Sequence, residues 1–376
     1  MTEIPDSRSI LGGCNRIVVK IGSALLVDEQ KGRVRRNWLA ALADDLMALR
    51  AEGKDVVIVS SGAIAVGRGQ LNFAAPLRLD ELQAAAAAGM IRLIHAYEDV
   101  LTPHNVTLAQ VLLTLDDSES RRRYLNARNT LNTLLAAGAV PLINENDTVA
   151  TDEIRFGDND RLAARVAAMI SADALILLSD IDGLYSADPG KDETAEWIPA
   201  VHELTDEIDA MAGGSASAYG SGGMITKLAA ARIAMGAGCR MVITRGHEAN
   251  PIRLLADGAR CTWFLPKATP RTARKEWIAG GLKPRGALVI DDGAAQALSR
   301  GKSLLPAGVT VVEGTFQRGD LLIVRNGSGK ELARGLSAYA SSDVHLIMGR
   351  KTREIEGLLG YRGRDEVIHR DDLVLT

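Results

Sequence analysis

The chain has 376 residues, 47% of them apolar and 24% charged, with a formal net charge of −3. That length exceeds one typical domain and suits a large domain joined to a smaller one. The charge leaves no global positive field for nucleic acid or an anionic membrane. The three cysteines, Cys14, Cys239 and Cys261, are too few and too scattered for a disulfide framework or a metal site.

A reducing cytoplasm fits that cysteine usage. The first fifteen residues lack a basic segment followed by a long apolar one, and no run approaches the ~20 apolar residues of a spanning helix. Neither a signal peptide nor a membrane partner is expected. Aromatics make up only 4%, so the cores are aliphatic, which suits helices packed over a buried parallel sheet.

In chain order, residues 16–21 predict a first strand and 38–51 a helix. Along that helix Leu39, Leu42, Leu46 and Leu49 recur at helical spacing. Further strands are predicted over 55–60, 107–113, 140–144, 174–179 and 240–244, with helices over 81–101, 121–137, 161–171 and 226–236. Strands alternating with helices imply crossover connections and a mostly parallel α/β sheet sandwiched by helices. Several strands run into small or polar residues: Gly22-Ser23, Ser61-Gly62, Asn144 to Asp147, and Asp180. Ligands of open α/β sheets bind beyond the carboxyl ends of the strands, so these positions are expected to converge.

The pattern changes after Phe264. A polar, proline-punctuated stretch over 266–282 reads as a linker, and short strands over 287–290, 309–312, 320–325 and 331–333 predict a compact, mainly β barrel-like module spanning 283–365. Residues 1–15 and 366–376 read as tails, leaving 16–265 as the large domain.

Five constellations carry chemistry. Lys20 lies at the end of a buried strand and is followed by Gly22 and Ser23. An ammonium there needs a partner, and it suits neutralisation of a transferring phosphoryl group, although it could simply emerge at a strand end. Ser61 and Gly62 offer a hydroxyl and backbone N–H groups to an anion, or a helix N-cap. Asn144, Asp147, Asn159 and Asp160 gather amides and carboxylates that suit a substrate ammonium and carboxylate. A carboxylate in this group would also keep two lysines oriented and charged. Solvated acidic loops or a metal cage compete, but the alternating oxygen ligands of a calcium loop are absent, and no metal ligand set is expected. Ser179 and Asp180 close the fifth strand of the large domain.

Ser221, Gly222, Gly223, Met224, Ile225, Thr226 and Lys227 place glycines ahead of a helix whose first turn carries an ammonium. That arrangement suits a polyphosphate, although it lacks Walker A spacing. The six histidines do not cluster, and no Gly-x-Ser-x-Gly or His-Glu-x-x-His motif occurs, which excludes the common hydrolase and metalloprotease readings. Lysines, glycine-rich turns and acidic residues without an obvious nucleophile match phosphoryl transfer.

The stretches VVKIGS at 18–23, VIVSSGAIAVGR at 57–68, YLNARNTLNTLL at 124–135, PLINENDTVAT at 141–151, GDND at 157–160, LLSDIDGLYSADP at 177–189 and SGGMITKLAAA at 221–231 follow one another in order. Together they resemble the amino acid kinase family, in the form that carries a C-terminal PUA domain. Ser179 and Ser221 stand where the family more often has Thr, a change that keeps the hydroxyl.

The resemblance implies the amino acid kinase fold and transfer of the ATP γ-phosphoryl to the side-chain carboxylate of L-glutamate, the first step toward proline. By matching positions, Lys20 and Lys227 would stabilise the phosphoryl group and ATP, and Asp160 would hold both lysines. Ser61, Asn144, Asp147 and Asn159 would bind glutamate. Ser179, Asp180 and the run from Ser221 to Lys227 would line the nucleotide. Mg²⁺ would be held by ATP and water. The resemblance also implies a homo-oligomer (dimer or tetramer), feedback inhibition by proline, and hand-off of the labile product to the next enzyme. A related kinase acting on acetylglutamate, aspartate or carbamate is an alternative within the class. An RNA-binding PUA protein is one outside it. Residues 283–376 hold fourteen Lys/Arg against twelve Asp/Glu, a balance of about +2, short of the basic stripe expected of an RNA binder.

Overall fold

A computed structural model describes residues 4–28, 32–74, 76–149, 159–212, 223–280 and 283–376. The chain divides into two compact units, Met1–Pro270 and Arg271–Thr376.

The first unit is built on an eight-stranded sheet. Its strands are β1 (Arg16–Ile21), β2 (Asp55–Ser60), β3 (Leu108–Leu113), β4 (Val140–Glu145), β5 (Ala174–Ser179), β6 (Ala200–Val201), β7 (Arg240–Arg245) and β8 (Cys261–Phe264). Their spatial order is β6-β8-β7-β5-β1-β2-β4-β3. All neighbours are parallel except the antiparallel pair β7–β8. β4 and β5 are buried along their whole length, as expected of apolar runs covered on both faces.

Period-two alternation decides what each face meets. On β1, Ile17, Val19 and Ile21 enter the core formed with α2 (Arg36–Ala51) and α4 (Leu79–Leu101), whereas Val18 joins α6 (Asn159–Met169) and α7 (Met224–Gly236). In chain order the remaining helices named here are α1 (Ser7–Gly12), α3 (Ala63–Leu71) and α5 (Arg121–Ala136). Lys20 shares Val18's side of the strand, the side of α6 and α7. The switch in chain direction falls at β1, between β5 and β2, which is where such sheets bind ligands.

β2 reaches α3 through Gly62, whose φ of 106° suits glycine and strains any residue with a Cβ. α3 and α4 then pack almost backbone to backbone. A Cβ on Gly67 would lie 1.7 Å from the Ala85 carbonyl oxygen, and one on Gly89 would lie 1.8 Å from that of Ala63.

Several elements depart from expectation. The short strands β6 and β8 extend the sheet beyond the six strands predicted. α6 starts at Asn159, so Asn159 and Asp160 sit in its first turn and not in a loop. Within the expected N-terminal tail, α1 is capped by Asp6, whose carboxylate accepts from the Arg8 and Ser9 amides at 3.0 and 3.2 Å. Its Ser7 hydroxyl accepts from the Trp263 indole at 2.9 Å, and Leu11 is buried in the core.

In the second unit a five-stranded sheet is ordered β10-β9-β11-β12-β13. Its strands are β9 (Gly286–Ile290), β10 (Val309–Glu313), β11 (Leu321–Asn326), β12 (Glu331–Leu336) and β13 (Leu373–Leu375). All its neighbours are antiparallel except β9 and β11. The expected linker contains a helix, α8 (Pro270–Gly280), and Arg274 on it pairs with Asp372 at 2.5 Å. The segment expected as a C-terminal tail supplies β13, which completes the edge beside β12. Among the described residues, no helix is long and apolar enough to cross a membrane.

Candidate active site

β1, β2, β4 and β5 bring Lys20, Ser60, Asn144 and Ser179 to one end of the sheet, in a register that pairs Lys20 with Val59 and Leu177. Alternation turns Lys20 toward α6 and α7, and each helix contributes from its first turn: Asp160 from α6 and Lys227 from α7. The Lys20 ammonium lies 2.5 Å from Asp160 Oδ1, and the Lys227 ammonium lies 3.3 Å from Asp160 Oδ2. One carboxylate thus holds two cations, and all three groups are buried.

Burial works against ionisation of Asp160, but Lys20 first and Lys227 second outweigh it and hold its carboxyl below the ordinary range. The trio sets two basic side chains on one acidic one, with Asp180 also close to Lys227. Gly22 borders the same space: a Cβ there would sit 3.9 Å from the Lys20 ammonium.

Beside the trio, the Ser60 carbonyl accepts from the Asn144 amide at 2.8 Å and from the Asn159 amide at 2.9 Å. The same Asn159 nitrogen donates to the Ser61 hydroxyl at 2.8 Å. Asn144 Oδ1 is buried with no hydrogen-bond partner among the described residues. An orphaned acceptor costs about 1–3 kcal/mol, so it marks a position where a ligand N–H is missing. Asp147 stands two residues beyond β4, part-buried. Burial pushes its carboxyl up to about 6, and no described residue donates to it.

On the other side lies a cavity of about 450 Å³ whose walls include Asp180, Leu184, Tyr185, Pro189, Met224 and Lys227. Gly223 also borders it and precedes α7 without a side-chain cap, leaving first-turn N–H groups available to an anion. The Ser179 hydroxyl donates to Asp180 at 2.9 Å. Burial again opposes the charge on Asp180, but this bond, its own backbone N–H and the nearby Lys227 keep it ionised below the usual range. The Thr226 hydroxyl lies 3.4 Å from Asp160 and donates to the Gly223 carbonyl at 2.7 Å. Ile225 is exposed and outside the cavity wall. Ser221 and Gly222 lie outside the described residues, as do Gly157 and Asp158.

The expected site residues thus fall into three adjoining groups: the Lys20–Asp160–Lys227 trio, the Ser61–Asn144–Asn159 amide cluster with Asp147 nearby, and a cavity wall beginning at Asp180. Of the cavity wall, Tyr185 and Pro189 belong to the stretch that follows Ser179 and Asp180 but carried no assigned role, and Met211 was not singled out. The length of the stretch 177–189 past the strand was the signal for the first two. Among the described residues, no cluster of three or more His, Cys, Asp or Glu forms a metal cage.

Comparison with known proteins agrees with this geometry. The model of the amino acid kinase family matches residues 15–245, and that of the PUA domain matches residues 286–359. A glutamate 5-kinase of Paramagnetospirillum magneticum is 65% identical over 367 residues, covering 98% of this chain and 99% of its own. Those of Rhodospirillum rubrum and Dinoroseobacter shibae are 62% and 56% identical, covering 95% and 97% of this chain and 96% and 99% of theirs. With a buried two-lysine, one-carboxylate centre at the switch point of a parallel sheet and a match to the family's model over most of its length, this chain belongs to the amino acid kinase family.

Proposed function

We propose that the chain transfers the γ-phosphoryl group of ATP to the side-chain carboxylate of L-glutamate, giving L-glutamyl 5-phosphate and ADP, the first step toward proline. The observation that carries this reading is the pair of ammoniums on Asp160, with a cavity at Lys227 and the asparagine amide cluster beside them.

The barrier to the reaction is the approach of one anion to another. The γ-carboxylate of glutamate is already ionised near neutral pH, so no strong base is required, and alignment with charge neutralisation carries the catalysis. ATP would place its adenosine in the cavity and its phosphates along the start of α7, with the γ-phosphoryl reaching Lys227 and Lys20. Asp160 touches both lysines and holds them at one point. Ser61 would donate to a substrate carboxylate, and Asn144 Oδ1 and Asp147 would receive the substrate ammonium. Asn159 would act by orienting Ser61. Mg²⁺ would enter with ATP and supply further neutralisation of phosphate charge, while Asp160 is engaged by the two lysines.

A cytoplasmic setting, a homo-oligomeric state, proline as inhibitor and hand-off of the hydrolysable acyl phosphate complete the reading. The domain division 16–265 and 283–365 belongs to it as well, with the C-terminal module structural or regulatory. The test is glutamate-dependent ADP release with hydroxylamine present. The expected product is the glutamyl hydroxamate. Faster release with N-acetylglutamate, aspartate or carbamate would transfer the assignment to a related kinase.

The elevated carboxyl of Asp147 yields a pH signature. Below about 6 it is neutral and attracts no ammonium; above, it is charged. Since its folded value lies above the unfolded one, the free protein loses stability as pH rises through this window, and a bound cation returns it. The KM for glutamate is expected to rise about tenfold between pH 7 and pH 5 while that for ATP moves little. A glutamate KM that stays flat across this range would remove Asp147 from the ammonium site.

A further inference from the structure

We propose that Tyr97 and Ser60, which touch no substrate in this reading, are positioning residues for the acceptor site: the Tyr97 hydroxyl on α4 fixes Ser60, and Ser60 fixes the main chain that aligns Asn144, Asn159 and Ser61. The proposal rests on the glutamate reading above.

The observations form one chain. The Tyr97 hydroxyl lies 2.9 Å from the Ser60 hydroxyl, and both residues are fully enclosed. The Ser60 hydroxyl donates to the Ser61 carbonyl at 3.1 Å. A serine hydroxyl has one hydrogen, so with that hydrogen committed, Tyr97 is the donor to Ser60. Burial raises the Tyr97 phenol well above its ordinary value, so it stays protonated and keeps this role at any pH at which the enzyme works.

Every polar group of the Ser60–Ser61 segment named here then has a defined direction. The Ser61 amide donates to the Ile21 carbonyl at 3.1 Å. The Ser60 carbonyl receives the Asn144 and Asn159 amides at 2.8 and 2.9 Å. The Ser61 hydroxyl receives Asn159 at 2.8 Å, which frees its own hydrogen for a carboxylate oxygen. A rotation of the peptide after Ser60 would misplace both asparagines together.

α4 grips this segment twice. Besides Tyr97, its Gly89 lies against the Ala63 carbonyl, two residues past Ser61, where no Cβ would fit. A Phe–Ala pair would fill the same space without desolvating two hydroxyls, so packing alone does not call for the polar pair. Its place behind a carbonyl shared by two substrate-facing amides does.

The experiment compares Tyr97→Phe, Ser60→Ala and the double variant with the parent enzyme, reading KM for glutamate, KM for ATP, kcat and melting temperature. Each single change is expected to raise the glutamate KM about tenfold while the ATP KM stays within about twofold. The double variant is expected to match the singles and not multiply them, because one link is broken in all three. If Tyr97→Phe does not fold, Ser60→Ala breaks the same link with a smaller change and decides the matter. A lowered melting temperature with an unchanged glutamate KM, or equal rises in both KM values, would overturn the positioning role and leave the glutamate reading intact. Parent enzyme without glutamate-dependent ADP release would overturn both.

Discussion

Replacing Lys227 or Lys20 by methionine is expected to lower kcat by about 10²–10³-fold with the fold preserved. Methionine keeps the length and apolar stem of lysine but removes the charge. Asp160 keeps a lysine after either change, Lys20 at 2.5 Å or Lys227 at 3.3 Å. The structure therefore tolerates the loss, and the reaction does not, because the remaining ammonium must offset repulsion that two had shared.

The two variants should also differ. Lys227 lines the cavity and opens α7, so its loss should weaken ATP binding as well as turnover. Lys20 lies outside the cavity wall, and its loss should fall mainly on kcat. Steady-state kinetics on both proteins, with circular dichroism to verify folding, checks this; equal effects on KM for ATP would contradict the division.

Asp160→Asn is expected to be the more damaging substitution for stability. It removes the carboxylate that contacts both buried ammoniums, and breaking a buried pair costs roughly 3–5 kcal/mol. An amide can still accept from one lysine, but it carries no charge to offset either.

The sign of the acid dependence is also fixed. The folded carboxyl of Asp160 lies below its unfolded value of about 3.9. Its contribution is therefore complete above that pH and disappears as pH falls from there through the lowered folded value. Thermal melts of parent and Asp160→Asn as a function of pH should differ most near neutrality and converge in acid. A constant gap down to the acid limit would show that the charge on Asp160 does not matter to the fold.

The site was legible in sequence where chemistry conflicted with packing. Lys20 near the end of an apolar strand and Lys227 buried in the first turn of a largely apolar helix are expensive placements, and both lie on Asp160. The parallel sheet was legible because strands covered on both faces read as continuous apolar runs, as β2 and β5 do. Length set the limit. β6 has two residues and β13 three, too few for period-two alternation to emerge, so the sheet's far edge and the last strand of the second unit stayed hidden.

The start of α6 was misplaced because the polar run before Arg161 resembles a loop. The structure places Asn159 and Asp160 in the helix, where burial and partners explain their polarity. Tyr97 was invisible for a different reason. On an amphipathic helix a tyrosine at a core position looks like packing, and only the 2.9 Å contact to Ser60 separates it from its apolar neighbours.

Phosphoryl transfer in a single turnover, followed by rapid quench with glutamate and ATP both saturating, isolates the chemical step from binding and product release. If paired ammoniums let one anion accept another, the Lys20→Met and Lys227→Met proteins should form acyl phosphate at least tenfold more slowly than the parent under these conditions. Transfer at the parental rate in either protein would show that a single cation suffices, and the electrostatic mechanism built on the trio would be wrong.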